Sequence, residues 1–356
     1  MVSGMVRMAS TLGARAKVPA ILFSLLCATL AWALPQNHPA DNVTSTVLAG
    51  DSRIDVTFNT DEAPLVQPDV IKWIQNAAES VTAYYGRFPI PRYTLRVIGF
   101  DGAGVKHGTT WARMGGLTRI YVGSKTSDQD FADDWMLTHE MTHLAFPSMM
   151  GDEHHWLEEG LAVYIEPIAR IRAGHWTALQ MWRELVRDMP KGEPQEGDEG
   201  LDRTHTWART YWGGALFSFV ADVEIRKQTK NQKGLEDALR GIFNAGGVIS
   251  EDWPIGKAFK VGDEAVGLDV LEKMYAEWKD KPVQVDLAAM WKQLGVDATT
   301  GTVQLKDSAP LSAVRRALEM GTASEKKAAA ANSKNELHNE VGAPLTIFAG
   351  RTARSR

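Results

Sequence analysis

Residues 137–144 read Leu-Thr-His-Glu-Met-Thr-His-Leu and lie inside a proline-free stretch, residues 130–146, that is predicted to be helical. His139 and His143 are four positions apart. In a helix this spacing places both imidazoles on one face, within reach of a single metal ion. The segment therefore predicts a site for one zinc ion, and the alternative interpretation is a pair of surface histidines.

Glu140 follows the first histidine directly, so the helix places it beside the metal without making it a ligand. Zinc lowers the pKa of water toward ~7, and a neighbouring carboxylate can take the proton as the water attacks a carbonyl. Glu140 is therefore the candidate general base of a hydrolytic reaction.

A catalytic zinc ion usually has three protein ligands and one open position, so a third ligand is expected. One common spacing would need a histidine at Met149, and another would put a carboxylate near Ala162 or Val163, so neither is satisfied. Residues 156–164, Trp-Leu-Glu-Glu-Gly-Leu-Ala-Val-Tyr, begin the next predicted helix and carry two adjacent carboxylates. A carboxylate in the first turn of a helix packed against the first helix would complete the site.

These two segments resemble the gluzincin metallopeptidases of peptidase clan MA, in which a Trp-Leu-x-Glu-Gly-Phe/Leu-Ala segment follows His-Glu-x-x-His. By this resemblance Glu159, immediately before Gly160, is the third metal ligand and Glu158 is a flanking residue. Residues 211–217, Tyr-Trp-Gly-Gly-Ala-Leu-Phe, are similar to a helix of the M61 glycyl aminopeptidase family and related peptidase-MA-like domains. The resemblance spans roughly residues 70–310 and implies a zinc metallopeptidase whose partner is a peptide or protein substrate.

The same resemblance implies a tyrosine that donates a hydrogen bond to the oxyanion formed at the attacked carbonyl. Tyr211 is the expected donor, and His205 is the alternative. Aminopeptidases of this clan also carry a glutamate in a glycine-rich edge strand, where it binds the free amino terminus of the substrate. Residues 104–107 and 115–119 are the two places where it could align, and neither contains an acid. Strict aminopeptidase specificity is therefore not expected, and terminal and internal cleavage both remain open.

Two other functions fit the same residues. A zinc hydrolase of a non-peptide amide or ester would use the same metal site. A catalytically silent binding protein with the same fold would explain the missing edge-strand glutamate, although it would have no use for Glu140.

The order of predicted elements, strands first and helices after, indicates an α+β fold. The resemblance implies a zincin-like, thermolysin-like two-lobed catalytic domain with a small mixed sheet followed by a helical lobe. Pro167 is expected to end or kink one helix, and the glycine-rich residues 101–116 are interpreted as a connection between strands. The predicted strands are 52–58, 93–100 and 117–122, and the predicted helices are 68–85, 130–146, 156–166, 176–188, 206–227 and 235–243.

Other aromatic and histidine residues are interpreted as structural. Four tryptophans that recur on predicted helices are expected in the core: Trp135, Trp156, Trp182 and Trp212. The pair His154 and His155 is expected to be solvated, with a second metal site as the alternative.

The ends of the 356-residue chain differ from its middle. Basic residues precede an apolar run at residues 18–33 that ends in Ala-Trp-Ala, so residues 1–33 are expected to be a signal peptide. The competing interpretation is a membrane anchor, but the run is shorter than the ~20 residues of a typical span. Residues 34–66 are expected to form a leading strand with flexible flanks, residues 67–320 the catalytic domain, and residues 321–356 a disordered tail.

Export and charge limit the partners. Cleavage would place the protein in a periplasm or outside the cell, with no stable membrane association. It would also remove Cys27, the one cysteine, so a metal site must be built from nitrogen and oxygen ligands. Loss of three basic residues with the signal peptide changes the formal charge from -5 to -8. An acidic protein of this kind is not expected to bind nucleic acid.

Overall fold

A mixed sheet of five strands forms one lobe of the protein. The computed structural model describes residues 45–299 and 301–321, so the predicted signal peptide and the predicted tail beyond residue 321 lie outside the described residues. The strand order is β1-β2-β3-β5-β4. The three inner strands run parallel, and each edge strand is antiparallel to its neighbour. The strands are β1 (Ser45–Ala49), β2 (Ser52–Asn59), β3 (Arg92–Phe100), β4 (Val105–Trp111) and β5 (Leu117–Gly123).

A helical lobe follows the sheet. The prediction of an α+β fold with a small mixed sheet and a helical lobe is therefore confirmed. In the described part of the chain the helices are α1 (Gln67–Tyr85), α2 (Asp128–Asp133), α3 (Met136–Thr142), α4 (His155–Arg172), α5 (Ala178–Asp188), α6 (Gly214–Gln228), α7 (Leu235–Asn244), α8 (Ile255–Val266), α9 (Val270–Trp278), α10 (Leu287–Leu294) and α11 (Ser312–Met320).

Helix α1 connects the two lobes, since it contacts β1 as well as α3, α4 and α7. One face of the helix is buried, and Ile74 and Val81 on it are fully inaccessible to solvent. The helix ends at Gly86, whose φ of 84° is a left-handed conformation that glycine adopts without steric cost. On β3, Leu95 and Val97 alternate with exposed arginines and join the same core.

The prediction of one helix over residues 130–146 is wrong, because the chain breaks between α2 and α3. The carboxylate of Asp134 accepts hydrogen bonds from the backbone N–H groups of Met136 and Leu137. It also accepts one from the indole of Trp73. A side chain that satisfies the first free N–H groups starts a new helix, so α3 begins here and carries His139 in a fixed orientation.

Helix α4 continues through Pro167, so the proline does not end it. Pro167 and the residues after it, Ile168 and Ala169, are buried. The helix packs against α1, α6 and α11. Burial of this turn offsets the backbone hydrogen bond that proline cannot make.

Strand β4 lies in the segment that the sequence analysis interpreted as a connection. It forms the edge of the sheet beside β5, with a break in register between Lys106 and Thr109. The backbone of His107 within this break has a φ of 52°. A bulged strand of polar residues shows no regular alternation of apolar side chains, and this explains why the sequence pattern missed it.

The described part of residues 34–66 contains β1 and β2, which pair with the rest of the sheet. The predicted domain limits at residues 66 and 320 stay predictions. Within residues 45–299 and 301–321, no helix has the length and apolar character that a membrane crossing needs.

A buried ion network joins helices α4, α6 and α7. Arg226 Nε lies 2.8 Å from Asp222 Oδ1, and its Nη2 lies 2.5 Å from Glu236 Oε2. Arg172 Nη2 lies 3.3 Å from the other oxygen of Glu236. Burial opposes ionisation of Glu236, but Arg172 and Arg226 outweigh it and hold its pKa at about 2. At Asp222 burial outweighs Arg226 and raises the pKa, so Glu236 is the carboxylate held ionised.

The variant Glu236→Gln should lose about 3–5 kcal/mol of unfolding free energy at pH 7, because it leaves buried guanidinium groups without their carboxylate. The folded pKa of Glu236 lies below the unfolded value of about 4.3. The contribution of Glu236 to the free energy of unfolding is therefore present above pH ~4.3 and is lost as the pH falls toward 2. Urea unfolding of the parent and the variant is measured between pH 7 and pH 2. The difference between their unfolding free energies should become smaller below pH ~4.5. A difference independent of pH, or one equal to that of the surface variant Glu224→Gln, would contradict this role.

Candidate active site

A cleft of about 1170 Å³ separates β4 from the helical lobe. Residues from β4, α3, α4, α5 and one π-helical turn, Arg209–Gly213, line it. The candidate ligands His139, His143 and Glu159 and the candidate base Glu140 all face this cleft. The structure thus brings together the residues that the two sequence segments indicated.

The two histidines lie at the C-terminal end of α3. Their ring centroids are 4.9 Å apart with an interplanar angle of 86°. His139 is in the last turn of α3, and His143 is the first residue of a 3-10 turn, His143–Ala145. The predicted four-residue spacing therefore places both rings beside the cleft, although α3 itself is only seven residues long.

Glu159 reaches both histidines from the first turns of α4. Its Oε2 lies 3.1 Å from His139 Nε2 and 3.8 Å from His143 Nε2. Gly160 follows it and packs directly on Gly214 of α6, where an added Cβ would lie 2.3 Å from the Gly214 Cα. Glycine at both positions lets α4 and α6 approach at backbone distance, and this contact sets the position of Glu159.

His139, His143 and Glu159 fit a metal ion. One ligand atom from each of these side chains lies within 4.8 Å of the other two. Among the described residues, no other group of three or more His, Cys, Asp or Glu side chains is arranged to hold a metal ion. A tetrahedral zinc ion places its ligand atoms roughly 3.4 Å apart. Two nitrogens and a carboxylate oxygen are also the donor types of catalytic zinc sites. The geometry and the donor set therefore match what a divalent ion requires.

The protonation of the ligands is also suitable. Burial disfavours the charged form of Glu159, but the hydrogen bond from His139 and the neighbouring imidazoles outweigh it and hold the pKa at about 2. Burial lowers the pKa of His143. A carboxylate and a neutral imidazole are the forms that bind metals.

The His139 ring is held mainly by packing. Its Nδ1 is buried and makes no hydrogen bond, which leaves Nε2 as the nitrogen that faces Glu159. Trp135 packs against one part of the ring at 5.4 Å, and Tyr211 stacks at 6.4 Å with an interplanar angle of 14°. Trp135 is 45% exposed and lines the cleft, so its predicted place in the core is wrong. Trp156, Trp182 and Trp212 are buried as expected.

Glu140 lies on α3 facing β4 and is 7% exposed. Its Cγ and Oε1 lie against Gly108, where an added Cβ would come within 2.7 Å of both atoms. The sequence analysis missed this contribution of β4. A glycine within a polar segment was the available signal, but it did not reveal which helix the strand faces.

The two candidate oxyanion donors differ in position. Tyr211 lines the cleft, and its ring stacks on that of His139. Burial, together with the charges of Glu159 and Glu140, raises the pKa of Tyr211 to about 12, so the hydroxyl keeps its proton. His205 is exposed and is not among the residues that line the cleft. Tyr211 is therefore the donor that the geometry favours.

The two neighbouring histidines, His154 and His155, differ in their exposure to solvent. His154 is buried, with ring nitrogens 2.9 Å from the Met150 carbonyl oxygen and 3.1 Å from the Tyr275 hydroxyl. The expectation that it is solvated is wrong. His155 is exposed, and its Nε2 lies 3.4 Å from Glu159 Oε1, the carboxylate oxygen that does not face His139.

Comparisons with known proteins support the fold. No protein-family model matches the sequence, and no curated protein matches it. The structure is similar to that of an aminopeptidase N family protein from Idiomarina loihiensis, with a TM-score of 0.54 and 12% identity over 71% of this chain and 49% of that chain. The fold is zincin-like.

The chain spans about half the length of the solved structures it matches. An M1 zinc metallopeptidase from Deinococcus radiodurans aligns with a TM-score of 0.43 and 12% identity, over 68% of this chain and 52% of that chain. A TM-score below 0.5 does not establish a shared fold. The likeness at 0.54 supports the zincin-like fold of the gluzincins, but not the M61 family in particular.

The metal site predicts that zinc stabilises the folded protein. Zinc added to metal-free protein at one hundred times its Kd should raise the unfolding free energy by about 2.7 kcal/mol, because the ion binds only the folded state. The variant His143→Ala should lose this increase, measured by thermal unfolding with and without zinc. His175→Ala, which changes a histidine paired with Glu79 outside the cleft, is the matched control. An equal increase in His143→Ala would contradict the site.

Proposed function

We propose that the protein is an exported zinc-dependent metallopeptidase that hydrolyses peptide bonds with water. The observation that carries the proposal is the convergence of His139, His143 and Glu159 in one cleft with the carboxylate of Glu140, which is not part of that group. A site that only bound metal would not need a second acid in this position.

His139, His143 and Glu159 would hold the zinc ion and leave one position open to the cleft. The ion supplies Lewis acidity, which lowers the pKa of water and polarises a carbonyl group. Glu140 takes the proton from the attacking water and can pass it to the leaving amine. Tyr211 donates its O–H to the oxygen that becomes negatively charged at the attacked carbonyl.

The cleft also suits an extended peptide. β4 is at the edge of the sheet and lines the cleft, so a substrate backbone can pair with it as an additional strand. The cleft-lining residues 107–112, which comprise most of this strand and the residue after it, include no acid that could bind a free amino terminus. We therefore propose peptide hydrolysis without amino-terminal specificity, although one structural neighbour is an aminopeptidase N family protein.

The proposal of export rests on the sequence of residues 1–33, with its basic residues, apolar run and Ala-Trp-Ala end. The acidic charge of the chain supports a substrate other than nucleic acid.

The variant Glu140→Gln should keep its zinc and lose about 10²–10⁴-fold in kcat, because glutamine cannot take a proton. Bound zinc is measured by elemental analysis, and hydrolysis is followed by mass spectrometry on a peptide library together with simple amides and esters. Glu224→Gln, on the surface of α6, is the matched control. Equal turnover by Glu140→Gln and the parent would refute the mechanism, and cleavage of esters without peptides would indicate the non-peptide hydrolase.

Tyr211→Phe should lose about 10²–10³-fold in kcat with zinc retained, since it removes one donor to the developing oxyanion. Tyr121→Phe, on β5, removes a hydroxyl elsewhere in the protein and should leave kcat unchanged. Steady-state kinetics on a peptide found in the library would test the pair. Full activity of Tyr211→Phe would show that another group is the donor.

A further inference from the structure

Thr110, on the edge strand β4, contacts the candidate base directly. Its Oγ1 lies 2.6 Å from Glu140 Oε2 and 3.1 Å from the backbone oxygen of the same residue. The hydroxyl of Thr118, on β5, lies 2.6 Å from Thr110 Oγ1 on the other side. Thr118 is fully buried. The two threonines therefore form a short chain of hydroxyl groups that ends on Glu140.

Counting protons fixes the direction of this chain. Thr110 has one hydroxyl hydrogen and three oxygens within reach. A general base begins the reaction without a proton, so Glu140 can only accept, and an ionised carboxylate is the strongest of these acceptors. A separation of 2.6 Å is also typical of an O–H group donating to a carboxylate. Thr118 then donates to Thr110, and Thr110 donates to Oε2 of Glu140.

This arrangement distinguishes the two oxygens of Glu140. Oε2 accepts the hydrogen bond from Thr110, whereas Oε1 lies against Gly108. A Cβ at position 108 would come within 2.7 Å of Oε1. The absence of a side chain there leaves Oε1 open to the cleft, where it can accept the proton from water.

We propose that Thr110 is a positioning residue that holds the Glu140 carboxylate with Oε1 directed at the reacting water. Gly108 keeps that oxygen uncovered, and Thr118 fixes the orientation of the Thr110 hydroxyl. This inference rests on the proposed function, since it assigns roles around its general base. It adds the edge strand to the catalytic apparatus as a support for the base, in addition to its use as a binding edge for the substrate.

The test compares Thr110→Val with Thr110→Ser. Valine has nearly the same shape but cannot donate, whereas serine keeps the hydroxyl. A displacement of the reacting groups by about 1 Å can cost 10²-fold, so Thr110→Val should lose about 10–100-fold in kcat. Its KM should stay within about threefold of the parent, because the substrate contacts are unchanged. Thr110→Ser should recover kcat to within about threefold of the parent.

Thr94→Val is the matched control, because it makes the same change in the same sheet on β3, outside the residues that line the cleft. It should keep the kcat of the parent. Thr118→Val should reduce kcat less than Thr110→Val does, because in Thr118→Val the Thr110 hydroxyl can still donate its hydrogen bond to Glu140. Thermal unfolding and zinc content of each variant separate a change in positioning from a loss of fold or metal.

A readout independent of turnover is the crystal structure of the parent and of Thr110→Val. The parent should show Glu140 Oε2 within hydrogen-bond distance of Thr110, and the variant should show the carboxylate rotated away. The inference is overturned if the carboxylate does not move, if Thr110→Val keeps full kcat, or if serine fails to restore it. If Glu140→Gln is as active as the parent, or no substrate is hydrolysed, the proposed function fails, and the crystal structures alone decide whether Thr110 positions Glu140.

Discussion

The backbone contact between Gly160 and Gly214 is the constraint on which the candidate active site depends. An added Cβ at position 160 would lie 2.3 Å from the Cα of Gly214, so α4 and α6 approach each other too closely for a side chain at this position. Glu159 precedes Gly160, and its carboxylate comes to 3.1 Å from His139. A wider separation of α4 from α6 would move the first turns of α4. The Glu159 carboxylate would then shift relative to the two histidines at the end of α3. The position of Glu159 among the candidate ligands thus follows from helix packing and not from a loop.

The position of the candidate base, Glu140, depends on a second close approach, between α3 and the edge of the sheet. Gly108 lies against Glu140, and β4 bulges at this point. The two lobes therefore contribute different parts of the candidate site. The helical lobe supplies the three candidate ligands and Tyr211, whereas the sheet contacts the carboxylate of the candidate base through Thr110 and Gly108. Helix α1 contacts both the sheet and the helical lobe, and the buried network around Arg226 connects α6 with α7.

The sequence predicted the parts of this arrangement that follow a regular period. The four-residue spacing of His139 and His143 is an example, since helical geometry alone relates the two residues. The identity of Glu159 needed the resemblance to known metallopeptidases, because two adjacent carboxylates were available and only tertiary packing distinguishes them. The structure directs Glu159 at the histidines, whereas Glu158 accepts a hydrogen bond from the backbone N–H of Met149.

What the sequence did not reveal depends on contacts between distant segments. β4 has no regular alternation because it is bulged and lies at an edge, so its strand character and the contact of Thr110 with Glu140 were missed. Trp135 was expected in the core because helical tryptophans usually are, but the helix break at Asp134 leaves it in the cleft. Pro167 lies inside α4 because burial of the surrounding turn outweighs the local cost of proline.

The central claim is that two imidazoles and one carboxylate bind a single divalent ion. Anomalous diffraction at the zinc absorption edge, from crystals of the protein purified without added chelator, tests it most directly. The account predicts one anomalous peak at about 2.0–2.2 Å from Nε2 of His139, Nε2 of His143 and a carboxylate oxygen of Glu159. A peak bound by other residues, or no peak at these three side chains after zinc is added, would contradict it.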